Sequence, residues 1–187
     1  MGYPPLYFVS SNEEKYREIR GALDTCPVEA RRVVLDLPEI QSLDPAEVAS
    51  YKARKAYEHL LNGLVLVEDT GLVVDAWNSY PGALIKWVLA SVGEKGLCRQ
   101  LDAWTDRQAT ATVVLCLFDG QEMHTFSGQT HGVITQEPRG EFGFGWDSIF
   151  QPDGYPITYG EMPRETKMQI SMRTRALEKL KAYLGQL

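Results

Sequence analysis

Residues 64 to 71 read Leu-Val-Leu-Val-Glu-Asp-Thr-Gly, four apolar residues closed by two adjacent acids and a glycine. A continuous apolar run of this length, bounded by a glycine, has the pattern of a buried strand. Burying the acids Glu68 and Asp69 at its end demands a positive partner, because an uncompensated charge in the interior is costly. A divalent metal is the expected partner.

The segments before this strand alternate between strand and helix. Leu6 to Val9 is a short apolar run that passes into Ser10-Ser11-Asn12-Glu13-Glu14-Lys15, after which a helical period continues through Ile19 and Leu23. Val33 to Leu37 is expected to be a second strand. Pro45 to Leu61 is expected to be a second helix, with Asp44 as its cap and Pro45 in its first turn. Such alternation over the first 75 residues points to an α/β fold with a mixed sheet. Further along, Leu84 to Val92 and Gly96 to Leu101 read as short helices after the Tyr80-Pro81-Gly82 turn. Ala109 to Phe118 and Glu122 to Ile134 flank Asp119-Gly120, a strong hairpin signal, and form a long antiparallel ribbon. Residues 137 to 147 make a glycine-punctuated loop, and a last helix is expected from about Gln169 to Leu184, with Ile170, Leu177, Leu180 and Leu184 facing inward. No repeat or long linker divides the chain, so residues 1 to 187 are read as a single domain.

Composition narrows the function. At 187 residues, 44% hydrophobic and 24% charged, the chain has the make-up of a globular protein with a substantial core. No apolar run approaches the roughly 18 residues of a membrane span, and the amino terminus lacks the pattern of a secretory signal. A cytoplasmic protein without a membrane partner is expected. A formal net charge of -6 argues against a general nucleic-acid surface. Cys26, Cys98 and Cys116 are odd in number and widely spaced, which favours neither a disulfide framework nor a zinc site. His59, His124 and His131 lack recognisable ligand or triad partners and are read as structural.

Several segments have residues suited to a phosphorylated ligand. At Ser10 to Lys15 a strand hands over to a helix, whose free N–H groups and positive dipole end favour phosphate. Asn12 can donate its amide there and Lys15 can reach a phosphate oxygen. Ser11-x-x-Glu14 is equally a capping box, which accounts for the same residues structurally. The glycine-rich phosphate loop GxxxxGK[ST] is absent. Glu39, expected at the end of the second strand, can join Glu68 and Asp69 in a hard-oxygen site suited to Mg2+, although a lone glutamate is more often simply solvated. Lys52, Lys55, Lys86 and Lys167 are candidate countercharges. In Gly143-Phe144-Gly145-Trp146-Asp147 the glycines allow the backbone to approach a flat ligand while Phe144 or Trp146 stacks on it. Core aromatics beside a turn would have the same sequence.

Together these segments resemble the inosine triphosphate pyrophosphatase family, whose members hydrolyse non-standard purine nucleoside triphosphates. The resemblance rests on SxNxxK at Ser10 to Lys15, LPE at Leu37 to Glu39, KA at Lys52 and Ala53, EDTGL at Glu68 to Leu72, and PGALIKW at Pro81 to Trp87. It continues through FGWDSIFQPDGY at Phe144 to Tyr155, TYGEMP at Thr158 to Pro163, Lys167, and SMR at Ser171 to Arg173. Order and spacing match along nearly the whole chain.

The resemblance implies an elongated α/β fold with two lobes flanking a central cleft, a homodimer, and Mg2+ as cofactor. It implies that Ser10, Ser11, Asn12 and Lys15 hold the triphosphate, that Glu39 and Asp69 serve the metal with Glu68 close by, and that Asp69 activates water. Lys52, Lys86 and Lys167 match ligand-contacting lysines, with Thr70 counted among the substrate contacts. Phe144, Gly145, Trp146 and Asp147 match the base-pocket loop, and Arg173 a residue that reads the purine. The implied reaction converts ITP, dITP or XTP to the monophosphate and pyrophosphate. Two positions depart from the family pattern: Ser10 stands where Thr is usual, and Met172 stands where a His is usual, replacing an imidazole by a thioether that cannot donate a strong hydrogen bond. That second departure keeps open a pyrophosphatase acting on pyrimidine or modified nucleotides, and a silent nucleotide-binding module is the rival outside enzymology.

Overall fold

The computed structural model describes residues 4–60 and 63–186. In chain order the elements are β1 (Pro5–Val9), α1 (Glu13–Leu23), β2 (Glu29–Val33), α2 (Pro45–Leu60), β3 (Leu64–Val74), β4 (Pro81–Gly82), α3 (Ile85–Gln100), β5 (Gln108–Phe118), β6 (Met123–Ile134), β7 (Phe150–Pro152), α4 (Arg164–Ile170) and α5 (Met172–Leu184). Single 3-10 turns at Asp75–Trp77 and Tyr159–Glu161 complete them. The seven strands form one sheet in the order β2-β1-β3-β5-β6-β7, with β4 paired to β3 outside that path. β1 runs parallel to both neighbours, and the remaining pairings are antiparallel. The mixed α/β architecture expected from the alternating pattern is therefore present.

Successive side chains of a strand point to opposite faces, and β3 builds two cores in this way. Leu66, Leu72 and Val74 join a large cluster with Phe8, Ile19 and Leu23 on one face, together with Leu177, Leu180 and Leu184 of α5. Val65 and Val67 pack on the other face with Ala49, Ala53 and Ala56 of α2. Those three alanines keep α2 close to the strands, so that Lys52 of this helix reaches Asp69 of β3.

Several expectations are corrected. β3 does not stop at Asp69; it continues to Val74, with Glu68 paired to Leu115 and Asp69 to Val114 of β5. What stops there is its other neighbour, since the last β1–β3 pair is Val9 with Val67. The acids are thus the first residues of β3 to lose a partner on that edge, and a crevice opens beside them. The second strand lies at Glu29–Val33 and not at Val33 to Leu37, because pairing with β1 begins at Pro5 with Glu29 and ends when β1 ends. Leu35 and Leu37 pack against the second core from a loop. The two short helices expected in the middle region are present: within the span labelled α3 they are separated at Gly93, whose non-helical φ of 70° lies in the left-handed region that glycine tolerates. The last helix is two: Ser171 is extended, and its hydroxyl accepts the Thr174 N–H to cap α5. Asp44 caps α2 as expected, its Oδ1 accepting the Ala46 N–H at 2.8 Å; Leu61, the expected end of that helix, lies outside the described residues.

Candidate active site

The crevice beside β3 is a cavity of about 600 Å³ whose walls include Ser10, Ser11, Asn12, Lys15, Glu39, Lys52, Glu68, Asp69, Thr70 and Lys86. Sequence reasoning nominated all ten. The first wall is the β1–α1 junction. There the cap is Asn12 and not Ser11: its Oδ1 accepts the Lys15 N–H at 3.0 Å, and the Asn12 N–H donates to Ser10 Oγ at 3.1 Å. This cap orients the first turn of α1 so that Lys15 points into the crevice.

The two neighbouring acids both edge the crevice but turn to opposite faces of β3. Alternation along β3 sends Asp69 toward α2, where Lys52 Nζ donates to its Oδ1 at 3.3 Å. The same ammonium lies 3.3 Å from Glu39 Oε1, and Lys86 lies 3.7 Å from Glu39 Oε2. Glu39 and Asp69 therefore face one point. Burial raises the Asp69 carboxyl to about 6, against the pull of Lys52 and Lys15, and the nearby Glu39 charge adds to the rise.

Glu68 points to the opposite face, among α1 and α5. Its Oε2 accepts from Arg173 Nε at 2.8 Å, its Oε1 accepts from Arg173 Nη2 at 3.0 Å, and Lys15 Nζ sits 2.9 Å from that Oε1. Arg173 Nη1 also donates to Glu18 Oε2 at 2.6 Å. Burial alone would push the Glu68 carboxyl up, but Arg173 and Lys15 outweigh it and hold the group down at about 2. Among the described residues no three His, Cys, Asp or Glu side chains converge as a metal-binding group. Both oxygens of Glu68 are engaged by Arg173 and Lys15, while the oxygens of Glu39 and Asp69 that meet at Lys52 suit a hard cation held by one or two carboxylates and completed by substrate phosphates.

A second, more enclosed cavity of about 140 Å³ lies on the Glu68 face, between α1 and the glycine-rich loop. Phe142, Gly143 and Phe144 form one wall, Tyr159 and Met162 another, and Lys167 and Glu18 contribute charge. Asp147 organises it: its Oδ2 accepts the Phe144 N–H at 2.7 Å and meets Lys167 Nζ at 2.5 Å. Lys167 lies 5.2 Å from the Phe144 ring centre, and the Arg173 guanidinium lies 5.7 Å from it. Phe144 is thus a flat wall backed by two cations.

The model of the Ham1 family matches residues 6–183 of this sequence. The chain belongs to the Ham1 family. It is 41% identical over 190 residues to the inosine triphosphate pyrophosphatase of Kluyveromyces lactis, covering 98% of this chain and 97% of that protein. It is 42% identical to the inosine triphosphate pyrophosphatase of Aspergillus fumigatus, covering 96% and 94%. Among solved structures, a HAM1 protein from Coxiella burnetii superposes with a TM-score of 0.85 at 27% identity, covering 98% and 99%. A nucleoside-triphosphatase, named a dITP/XTP pyrophosphatase, from Mycobacterium abscessus gives 0.76 at 29% identity, covering 94% and 98%.

Within this Ham1 protein some nominated residues lie away from the second cavity. Met172 is the first residue of α5 and is buried in the large core, outside the cavity walls. Trp146 is buried too, with its indole N–H unpaired among the described residues, and Gly145 is exposed. Conversely, sequence reasoning passed over Glu18, Phe142, Tyr159 and Met162. Glu18 follows Lys15 by three positions, the spacing that puts both on one helix face, and that signal was available. Tyr159 and Met162 lie inside the TYGEMP motif. Phe142 had no local signal beyond being one more aromatic in a glycine-rich loop.

Proposed function

We propose that this Ham1 protein hydrolyses non-standard purine nucleoside triphosphates such as ITP, dITP and XTP to the monophosphate and pyrophosphate. The observation that carries the reading is the convergence of Lys15, Lys52 and Lys86 with the paired carboxylates Glu39 and Asp69 in one crevice, beside a cavity walled by aromatic rings. The names of its relatives support the same chemistry.

In this reading the capped α1 terminus and Lys15 hold the phosphate chain, with Lys52, Lys86, Ser10, Ser11, Asn12 and Thr70 along its path. Glu39 and Asp69 would hold Mg2+, which when bound offsets phosphate charge. Glu68 acts through Lys15 and Arg173. Asp69, whose carboxylate faces the crevice beside Glu39 and Lys52, accepts the proton of the attacking water. The water oxygen bonds to the α-phosphorus, the bridging bond to the β-phosphate breaks, and pyrophosphate leaves with its charge balanced by the lysines. Phe144 stacks on the base, while Lys167 and Arg173 supply the positive potential that favours a 6-oxo acceptor and leaves a 6-amino group unrewarded. Because Met172 lies in the core, its departure from the family's usual His does not remove a group from the aromatic-walled cavity.

The test is incubation with Mg2+ and ITP, XTP, dITP, GTP, ATP, dTTP and UTP, with products resolved by ion exchange. Pyrophosphate and monophosphate from the 6-oxo non-standard purines, with little from ATP, is the expected result. Orthophosphate released without pyrophosphate would sink the mechanism, and preferential cleavage of dTTP or UTP would replace the substrate class. The reading includes a homodimeric assembly with no nucleic-acid partner, checked by light scattering and by a gel-shift assay. No described helix is long and apolar enough to cross a membrane.

A further inference from the structure

From β2, outside the crevice walls, Arg32 ties down the loop that leads into α1. Its Nε donates to the Ser10 carbonyl at 3.1 Å and its Nη2 to the Ser11 carbonyl at 2.9 Å. Its Nη1 pairs with the Glu13 carboxylate in the first turn of α1. The register explains how one side chain reaches all three. Arg32 stands opposite Phe8 in the parallel β1–β2 pair, so both side chains point to the face that α1 covers. The ladder closes with the Ser10 N–H donating to the Val33 carbonyl at 3.0 Å. Beyond that rung, among the described residues, Ser10 and Ser11 have no strand partner for their carbonyls, and the planar guanidinium supplies one donor to each.

We propose that Arg32 is a positioning residue for phosphate recognition. It clamps the Ser10 and Ser11 carbonyls back toward β2, so that this turn presents its hydroxyls and the capped α1 terminus to the crevice in one fixed shape. A loop carbonyl that rotated inward would put a negative dipole against a phosphate; the clamp prevents that rotation. The guanidinium bonds the loop rather than lining the cavity, so it acts through the loop and not on the ligand. Glu13 neutralises part of its charge, which further separates clamping from simple attraction.

The inference rests on the phosphate-binding role assigned to this loop under the proposed function, and the experiment keeps the two apart. The proteins are wild type, Arg32→Ala and Arg32→Lys; lysine keeps the charge but cannot serve both carbonyls with a planar fork. Binding of inorganic tripolyphosphate in the presence of Mg2+ is measured by calorimetry, binding of inosine by saturation-transfer NMR, and folding by thermal melting. Both variants are expected to bind tripolyphosphate about tenfold or more weakly, since small misplacements of positioning groups carry penalties of this size. Inosine, which has the base and no phosphate, is expected to bind within about twofold of wild type. A lysine variant indistinguishable from wild type would show that charge alone matters and would overturn the clamp. Equal losses for inosine and tripolyphosphate would also overturn it, because they would mark a general structural defect. Wild-type protein that binds tripolyphosphate, shows the Arg32 effect and cleaves no nucleoside triphosphate would retain the clamp and refute the proposed reaction. Wild-type protein that fails to bind tripolyphosphate would refute the clamp.

Discussion

Replacing Glu68 with glutamine keeps the shape of the side chain and removes its charge from a site where only about 1% of it meets solvent. In the native protein two oxygens satisfy the Arg173 fork and the Lys15 ammonium. The variant leaves Arg173, itself 4% exposed, with Glu18 as its only carboxylate among the described residues, and leaves Lys15 without its 2.9 Å partner. Breaking one side of a buried pair costs about 3–5 kcal/mol. A second route to the size uses the carboxyl itself, held at about 2 where an unperturbed glutamate has 4.5. That shift corresponds to about 3 kcal/mol of folding free energy. In a protein of this length each kcal/mol moves Tm by about 2–4 °C, so Glu68→Gln is expected to melt roughly 6–20 °C lower at neutral pH. The sign of the pH dependence follows from the depressed pKa. Stability from this group is complete above the unfolded value of 4.5 and is lost as pH falls from there through about 2, so the gap between wild type and variant should narrow steadily below about pH 4.5 and be roughly halved by pH 3. Differential scanning calorimetry from pH 3 to 8 in the absence of Mg2+ is the assay. Equal melting at pH 7, or a gap that persists unchanged at low pH, would refute the claim that the charge of Glu68 holds this face together.

The opposite behaviour is expected one residue on. Asp69 has a raised carboxyl, so its contribution is intact below 3.8 and is lost as pH climbs through about 6; without Mg2+, Asp69→Asn should be more stable than wild type at pH 7.5 by up to about 3 kcal/mol and so melt higher, while its turnover falls by at least about a hundredfold. Calorimetry and the product assay check both halves, and an asparagine variant that melts lower would show that Asp69 is not strained by burial. Phe144→Ala should raise KM for ITP about tenfold or more by removing a stacking face, with kcat less affected, as measured by steady-state kinetics. Gly128→Ala should lower Tm sharply, because an added Cβ would fall 2.0 Å from the Met172 carbonyl and force α5 off the sheet; a melt within a degree or so of wild type would refute that packing argument.

Much of this was legible in the chain because local patterns and tertiary demands agreed. The ribbon of β5 and β6 was readable from Thr and Val enrichment around Asp119-Gly120, and Asp119 Oδ1 does accept the N–H groups of Gln121 and Glu122 in that turn. β2 was misjudged because its sequence, Glu-Ala-Arg-Arg-Val, is polar, while the apolar residues that follow it belong to a loop. A neighbouring strand chose the register there, and no local pattern records a neighbour. The crevice residues were nominated from motifs, but their grouping was not predictable by adjacency. Glu68 and Asp69 stand side by side in sequence, yet the first belongs with Lys15, Glu18 and Arg173 and the second with Glu39 and Lys52. Arg32 carried no signal as the second of two arginines, since its role depends on where β1 ends.

The sheet is one residue thick between the two acids, and that thinness makes the enzyme's layout a matter of parity. Even-numbered positions along this part of β3 address the face of α1, α5 and Arg173, and odd-numbered ones address the α2 face, where Asp69 meets Lys52. A single inserted or deleted residue between Leu64 and Glu68 would exchange the two audiences at once, presenting an acid that needs to remain charged to the lysine of α2 and an acid made to exchange protons to the buried arginine. The strand therefore tolerates substitution of its apolar residues far better than any change in their number.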